Sequence, residues 1–309
     1  MKIDFKRILC PTDLSPESDE ALRYAIDLAL AYEAKLIVCH CVGSSPPADE
    51  SKAEQIKRLI EETIRDHISL VNSPALIWES VVVTGEPADV IAREAAEREV
   101  DLIVMRTRHR PYAAALLGST AETVSRMALC PILVTPSRPG KWLGFPTGDV
   151  NLRRLLVAYD FSEDSELALA SGLSLAQEYQ AELHLIHVLS PGTGPEPPEG
   201  DWRESPGDRR FQKVARLLQT AVPAEALLWC KIKQAVKEGK PYREVLTYAE
   251  EQEIDLICMG MRGAGFGLHT LFGSNTDRVL RQAPCPVFIA RPLKVDVVAM
   301  NEDIERMNN

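Results

Sequence analysis

The chain has 309 residues, 45% of them hydrophobic and 26% charged, which suits two packed cores and excludes a disordered chain. A formal net charge of −10 argues against a general nucleic-acid binder or a protein held on anionic membranes, since both need a basic surface. No apolar run approaches the roughly 18 residues of a membrane span, Met1–Arg7 holds no apolar stretch before a cleavage site, and the expected address is the cytoplasm.

The first apolar strand, Ile8–Cys10, runs into Asp13-Leu14-Ser15, where Ser15 suits a helix N-cap and Pro16 the first helical turn. Ala21, Leu22, Ala25, Leu28, Ala29 and Tyr32 follow at helical spacing. A second strand at Leu36–Val42, a helical segment at Ala53–Val71 and a third strand at Leu76–Val83 come next. A short helix after Pro87, a fourth strand through Val100–Met105 and a last helix lead to a fifth strand at Pro131–Thr135. Thr135–Asn151, rich in proline and glycine, reads as a linker.

The series then starts again. Lys6-Arg7-Ile8-Leu9-Cys10 returns as Arg153-Arg154-Leu155-Leu156-Val157, and a shift of 147 carries Asp13 to Asp160, Ser18 to Ser165 and His40 to His187. Gly85-Glu86-Pro87 matches Gly239-Lys240-Pro241 at a shift of 154, the extra residues falling in the proline- and glycine-rich stretch Pro191–Gly200. One domain is thus duplicated: residues 1–137, a linker at 138–151, a second copy at 152–293 and an acidic tail at 294–309. Strands separated by helices pair in parallel, so the expected fold class is α/β, with two tandem doubly wound, Rossmann-like domains of five parallel strands each.

Ligands of such sheets bind beyond the carboxyl ends of the strands, where strand order reverses. There, the second copy carries Gly260-Met261-Arg262-Gly263-Ala264-Gly265-Phe266-Gly267, and Gly273-Ser274-Asn275-Thr276 opens a helix. Glycines admit a close ligand and helix N-terminal amides favour anions, so the stretch reads as a phosphate cradle to which Ser274 and Thr276 add hydroxyls. Its alternative is a flexible glycine-rich turn. The chain has neither a Walker loop nor a G-x-G-x-x-G. Asp160, after the first strand of the second copy, can accept from amino or hydroxyl donors, or it can cap the following helix.

The spacing Gly260-x2-Gly263-x9-Gly273-Ser274, with Asp160 upstream, resembles the nucleotide-binding signature of the universal stress protein family, and the duplication resembles its tandem members. The resemblance implies an adenine nucleotide alpha hydrolase-like fold and ATP, ADP or AMP as ligand, with Mg2+ as an optional companion. It implies Asp160 at the adenine and ribose end, and the backbone of Val188 along the base. Met259, Gly260, Arg262 and Gly263 would then pass the ribose and phosphates, and Gly273, Ser274, Asn275 and Thr276 would hold the phosphate tail. It also implies a nucleotide-dependent regulatory module whose halves form an intramolecular pseudo-dimer, with homodimers of the chain as a further expectation.

The first copy keeps Asp13 and Gly118-Ser119-Thr120, but its fourth strand continues into Arg106-Thr107-Arg108-His109-Arg110-Pro111, without glycine until Gly118. The expectation is weak nucleotide binding there or none, with the arginines either a solvated loop or a site for another anion. Cys39, His40 and Cys41, with Cys10 nearby, invite a metal, but neighbouring strand residues point to opposite faces and cannot share one ion. The seven cysteines read as reduced core residues, with redox sensing by Cys10 or Cys41 as an outside reading. Two other functions compete: slow ATP hydrolysis, for which only Arg262 and His269 can be nominated, and a nucleotide-independent scaffold for protein partners.

Overall fold

The computed structural model describes residues 3–43, 50–71, 76–106, 119–136, 152–190, 206–263 and 273–292. The first half runs β1 (Arg7–Thr12), α1 (Pro16–Ala31), β2 (Lys35–Val42), α2 (Glu50–Val71), β3 (Trp78–Thr84), α3 (Pro87–Glu97), β4 (Leu102–Arg106), α4 (Ser119–Met127) and β5 (Ile132–Thr135). The second runs β6 (Arg154–Ala158), α5 (Glu163–Tyr179), β7 (Glu182–Leu189), α6 (Pro206–Ala221), a 3-10 turn (Ala224–Leu228), β8 (Ile232–Glu238), α7 (Pro241–Glu251), β9 (Leu256–Gly260), α8 (Ser274–Gln282) and β10 (Val287–Ala290). The linker at 138–151, the loop at 191–200 and the tail at 294–309 lie outside the described residues.

Each half is a parallel five-stranded sheet, and the two join edge to edge into one sheet of order β3-β2-β1-β4-β5-β10-β9-β6-β7-β8. The seam is the antiparallel pair β5–β10, with Leu133 opposite Phe288. Alternation along the strands splits the core into two layers. Ile8, Cys10, Leu155, Val157 and Phe288 pack on one side with residues of α1 and α5; Leu9, Ile103, Leu156, Ile257 and Ile289 pack on the other with residues of α3, α4, α7 and α8. Both layers contain residues of both halves. Ile3 N–H donating to Ser174 Oγ at 2.6 Å, and the Tyr32 and Tyr179 rings 6.4 Å apart, tie the halves further.

The duplication is physical as well as textual. Ser15 caps α1 by accepting from Ser18 N–H, and Ser162 caps α5 by accepting from Ser165 N–H. Asp101 accepts from the Lys6 and Arg7 amides, and Asp255 from those of Arg153 and Arg154, pinning the start of β1 to β4 and of β6 to β9. Gly85 and Gly239, with φ of +147° and +155°, make the same turn after β3 and β8, a conformation L side chains rarely adopt.

Candidate functional site

Within the second half the chain winds outward from β6 through β7 to β8 and returns to the other side of β6 at β9. At the carboxyl ends of these strands a cleft opens to solvent. Asp160, Val188, Met259, Gly260, Arg262, Gly263, Gly273, Asn275 and Thr276 all line it. Ser274 is not among its walls; it stands exposed as the first residue of α8.

Asp160 is held by its own turn. Its Oδ1 accepts from Ser162 N–H at 3.2 Å and Ser162 Oγ–H at 2.5 Å, while Phe161 between them takes a left-handed φ of 64°. Asp13, Leu14 and Ser15 repeat the arrangement, with φ of 62° at Leu14. The helix cap is therefore Ser162, and the capping role considered for Asp160 is corrected: the aspartate orients the cap, and its Oδ2 is directed at Gly263. Beneath it His187 donates from Nδ1 to the Tyr159 carbonyl at 2.8 Å, as His40 does to Thr12 at 3.0 Å, fixing the strand end that carries the aspartate.

The glycines have a steric reason within the chain itself, beside the ligand approach on which the cradle reading rests. A Cβ on Gly260 would lie 2.6 Å from Asp164 Cβ and 2.7 Å from its carbonyl carbon, so β9 passes directly over the first turn of α5. A Cβ on Gly263 would sit 2.5 Å from Asp160 Oδ2, and one on Gly273 3.2 Å from the Met261 carbonyl oxygen. Gly260 is thus closed by the backbone of α5, Gly263 by the Asp160 carboxylate, and Gly273 is left tight against the loop. The Thr276 hydroxyl is likewise turned inward: buried, it donates to the Gly260 carbonyl at 3.0 Å, so its role as a phosphate donor is corrected to one of holding the loop. Gly265, Gly267 and His269 lie outside the described residues.

Three residues that sequence reasoning missed complete the site. Asp164 Oδ2 accepts from the Arg262 backbone N–H at 2.8 Å, with the half-exposed guanidinium Nε 3.5 Å away, and so pins the glycine loop to α5. Its only signal in the sequence was the acidic start of that helix. Arg291, after β10, donates both to Met261 Sδ and to the Ser125 carbonyl of α4, linking the loop to the other half. Tyr242 lines the mouth of the cleft from the first turn of α7. Gly273 caps α8 without a side-chain hydrogen bond, leaving the first amides of that nine-residue helix for an anion.

The first half builds the same frame around different contents. Arg106 stands in the register of Gly260, and its guanidinium meets Glu20 Oε2 at 3.1 Å with both side chains largely buried, 14% and 12% exposed. At Arg106, then, neither a solvated loop nor an open anion site is realised; Arg108 and Arg110 lie outside the described residues. Cys41 replaces Val188, and Ala121 replaces Thr276. Cys10 faces the opposite layer from Cys39, burial pushes its thiol up to about 12, and it is fully enclosed, which removes it as a redox sensor. Among the described residues no three His, Cys, Asp or Glu side chains come together as metal ligands, and no helix is long and apolar enough to cross a membrane.

Comparison with known proteins agrees with this duplication. The universal stress protein family profile matches twice, over residues 4–136 and 151–291. A universal stress protein of Mycolicibacterium smegmatis is 25% identical over 92% of this chain and 97% of its own, and one of Methanocaldococcus jannaschii is 30% identical over 48% of this chain and 86% of its own. Among solved structures, a universal stress protein from Archaeoglobus fulgidus has the same fold, with a TM-score of 0.65 at 23% identity over 95% of this chain and 98% of that one. The chain belongs to the universal stress protein family, as a member with two tandem domains.

Proposed function

We propose that the C-terminal half binds an adenine nucleotide, as ATP, ADP or AMP, and that occupancy of this cleft governs a regulatory output in the cytoplasm. The observation that carries the reading is the pairing, in one cleft, of an oriented carboxylate at Asp160 with the uncapped N-terminus of α8. A carboxylate accepts from ribose hydroxyls or an amino group and repels phosphate; a helix N-terminus does the reverse. Between them, Val188 borders the base, and Met259, Gly260, Arg262 and Gly263 follow the ribose and phosphates. Gly273, Ser274, Asn275 and the backbone at Thr276 receive the phosphate tail, and any Mg2+ enters on the phosphate oxygens. In the N-terminal half Arg106, paired with Glu20, stands in the register of Gly260, which disfavours a nucleotide there. The antiparallel β5–β10 seam supports reading the two halves as a dimer within one chain.

Calorimetric titration with ATP is the test. One site per chain is expected, lost in Gly263→Asp, which drives a second carboxylate into Asp160, and weakened in the isosteric Asp160→Asn. Two sites of similar affinity, or none, would refute the reading.

A further inference from the structure

The two halves serve as each other's control beside the cleft, where they differ in charge. Lys240 caps α7, and Tyr242 and Arg243 lie in its first turn; Arg278 reaches across from α8. The Arg278 guanidinium carbon stands 4.7 Å from the centre of the Tyr242 ring, and Arg243 Nε donates to the Tyr242 hydroxyl oxygen at 3.0 Å. In the N-terminal half the corresponding positions are Glu86, Ala88, Asp89 and Thr123. Three cations and an aromatic ring thus replace two carboxylates and two small residues, in a chain whose net charge is −10.

Lys240 and Arg243 at the start of α7 oppose its dipole, which Glu244 complements, whereas at the start of α3 the corresponding residues Glu86 and Asp89 both complement it. Among the described residues no carboxylate lies within ion-pair distance of Lys240, Arg243 or Arg278, although the neighbouring Arg281 is paired with Asp277 and its counterpart Arg126 with Glu122. Tyr242 lines the cleft while its ring carries one guanidinium and its hydroxyl another, so both arginines are anchored on a residue of the cleft wall, just outside the lining itself. The same cations hold the Tyr242 phenol below its ordinary range, chiefly through the Arg243 hydrogen bond.

We propose that Lys240, Arg243 and Arg278, arranged around Tyr242, form a second phosphate subsite, so that the cleft takes an adenine nucleotide with a phosphoryl group additional to the one at the α8 N-terminus. The proposal rests on the nucleotide reading above. Planar guanidinium groups suit phosphate oxygens, and a cluster at the rim selects a ligand by its second anionic end. That phosphoryl group has two chemical sources: a substituent on the ribose, or an extension of the 5′ chain.

The full chain is titrated at physiological ionic strength with AMP, adenosine 3′,5′-bisphosphate, ATP and adenosine 5′-tetraphosphate. At least a tenfold gain is expected either for the bisphosphate over AMP, which identifies a ribose phosphate, or for the tetraphosphate over ATP, which identifies a chain extension. In the combined variant Lys240→Gln, Arg243→Gln and Arg278→Thr, all surface changes, that ratio falls to near one. Binding of AMP or ATP with no gain for either longer ligand overturns this proposal and leaves the nucleotide reading standing. A gain that survives in the variant also overturns it. Failure of every nucleotide to bind overturns both.

Discussion

His184 offers a quantitative handle on the wall beneath the cleft. It lies fully buried on β7, on the same face as Ile186 and Val188, with Nδ1 3.0 Å from the Tyr248 hydroxyl and Nε2 3.4 Å from Glu182 Oε1. Burial outweighs the attraction of Glu182 and holds its pKa down at about 4, against 6.5 in an unfolded chain. Between those values the unfolded state takes up a proton that the folded state refuses, so stability falls as the pH is lowered through 6.5 toward 4. The gap of 2.5 pK units is worth about 3 kcal/mol once both states are protonated, and about 2 kcal/mol of it is already lost at pH 5 relative to pH 7.5. His184→Ile, which installs the residue found at Ile37 in the first half, removes this dependence, at the cost of about 1 kcal/mol or more at neutral pH for an unpartnered Tyr248 hydroxyl. Urea unfolding of both proteins at pH 7.5 and pH 5 reads the difference of differences. Parallel losses of stability in the two proteins would refute the argument, because they would assign the acid sensitivity to other groups.

Arg106→Leu strands the largely buried Glu20 carboxylate and is expected to cost about 3 kcal/mol, whereas Arg106→Gly with Glu20→Leu, the residues of the C-terminal half, recovers most of it; a double-mutant cycle by denaturation measures the coupling. Thr276→Val removes the buried bond to the Gly260 carbonyl and should lower stability by about 1–2 kcal/mol and ATP affinity with it; rescue of both by Thr276→Ser, which keeps the hydroxyl, separates this bond from packing.

Much of the frame was legible because it is written locally and twice. Ser15 and Ser162 announce their helices, and the alternation of apolar strands with helical segments suffices for two parallel sheets. Long-range contacts were another matter. That a strand closes each copy was readable, yet the pairing of β5 with β10, which fuses two five-stranded sheets into one, depends on edges that only the assembled halves expose. Asp164, Arg291 and Tyr242 escaped notice for the same reason, since each acts on residues distant in sequence and carries no local motif. The glycines taught a sharper lesson. A spaced set of glycines says that a Cβ is unwelcome and leaves open what excludes it; at Gly260 and Gly263 the chain's own contacts are with Asp164 and Asp160.

That answer changes how the two clefts should be compared. If Gly260 were required only by a ligand, its replacement in the other half would simply be a lost site. Because Gly260 is required by the contact of β9 with α5, placing Arg106 in the same register obliges the first half to rebuild that contact, and it does so with Glu20 on α1 where the second half has Leu167. The substitution is thus paired, with a buried charge and its counter-charge entering together. A buried pair of this kind is a poor way to gain stability compared with apolar packing, but once present neither partner can be removed without stranding the other's charge. The anchors that both halves share, Asp101 with Asp255 and His40 with His187, keep the strand ends in common positions while the cleft walls diverge. Tandem duplication therefore supplied two equivalent frames joined through one sheet, and the residues at the strand ends made them chemically unequal.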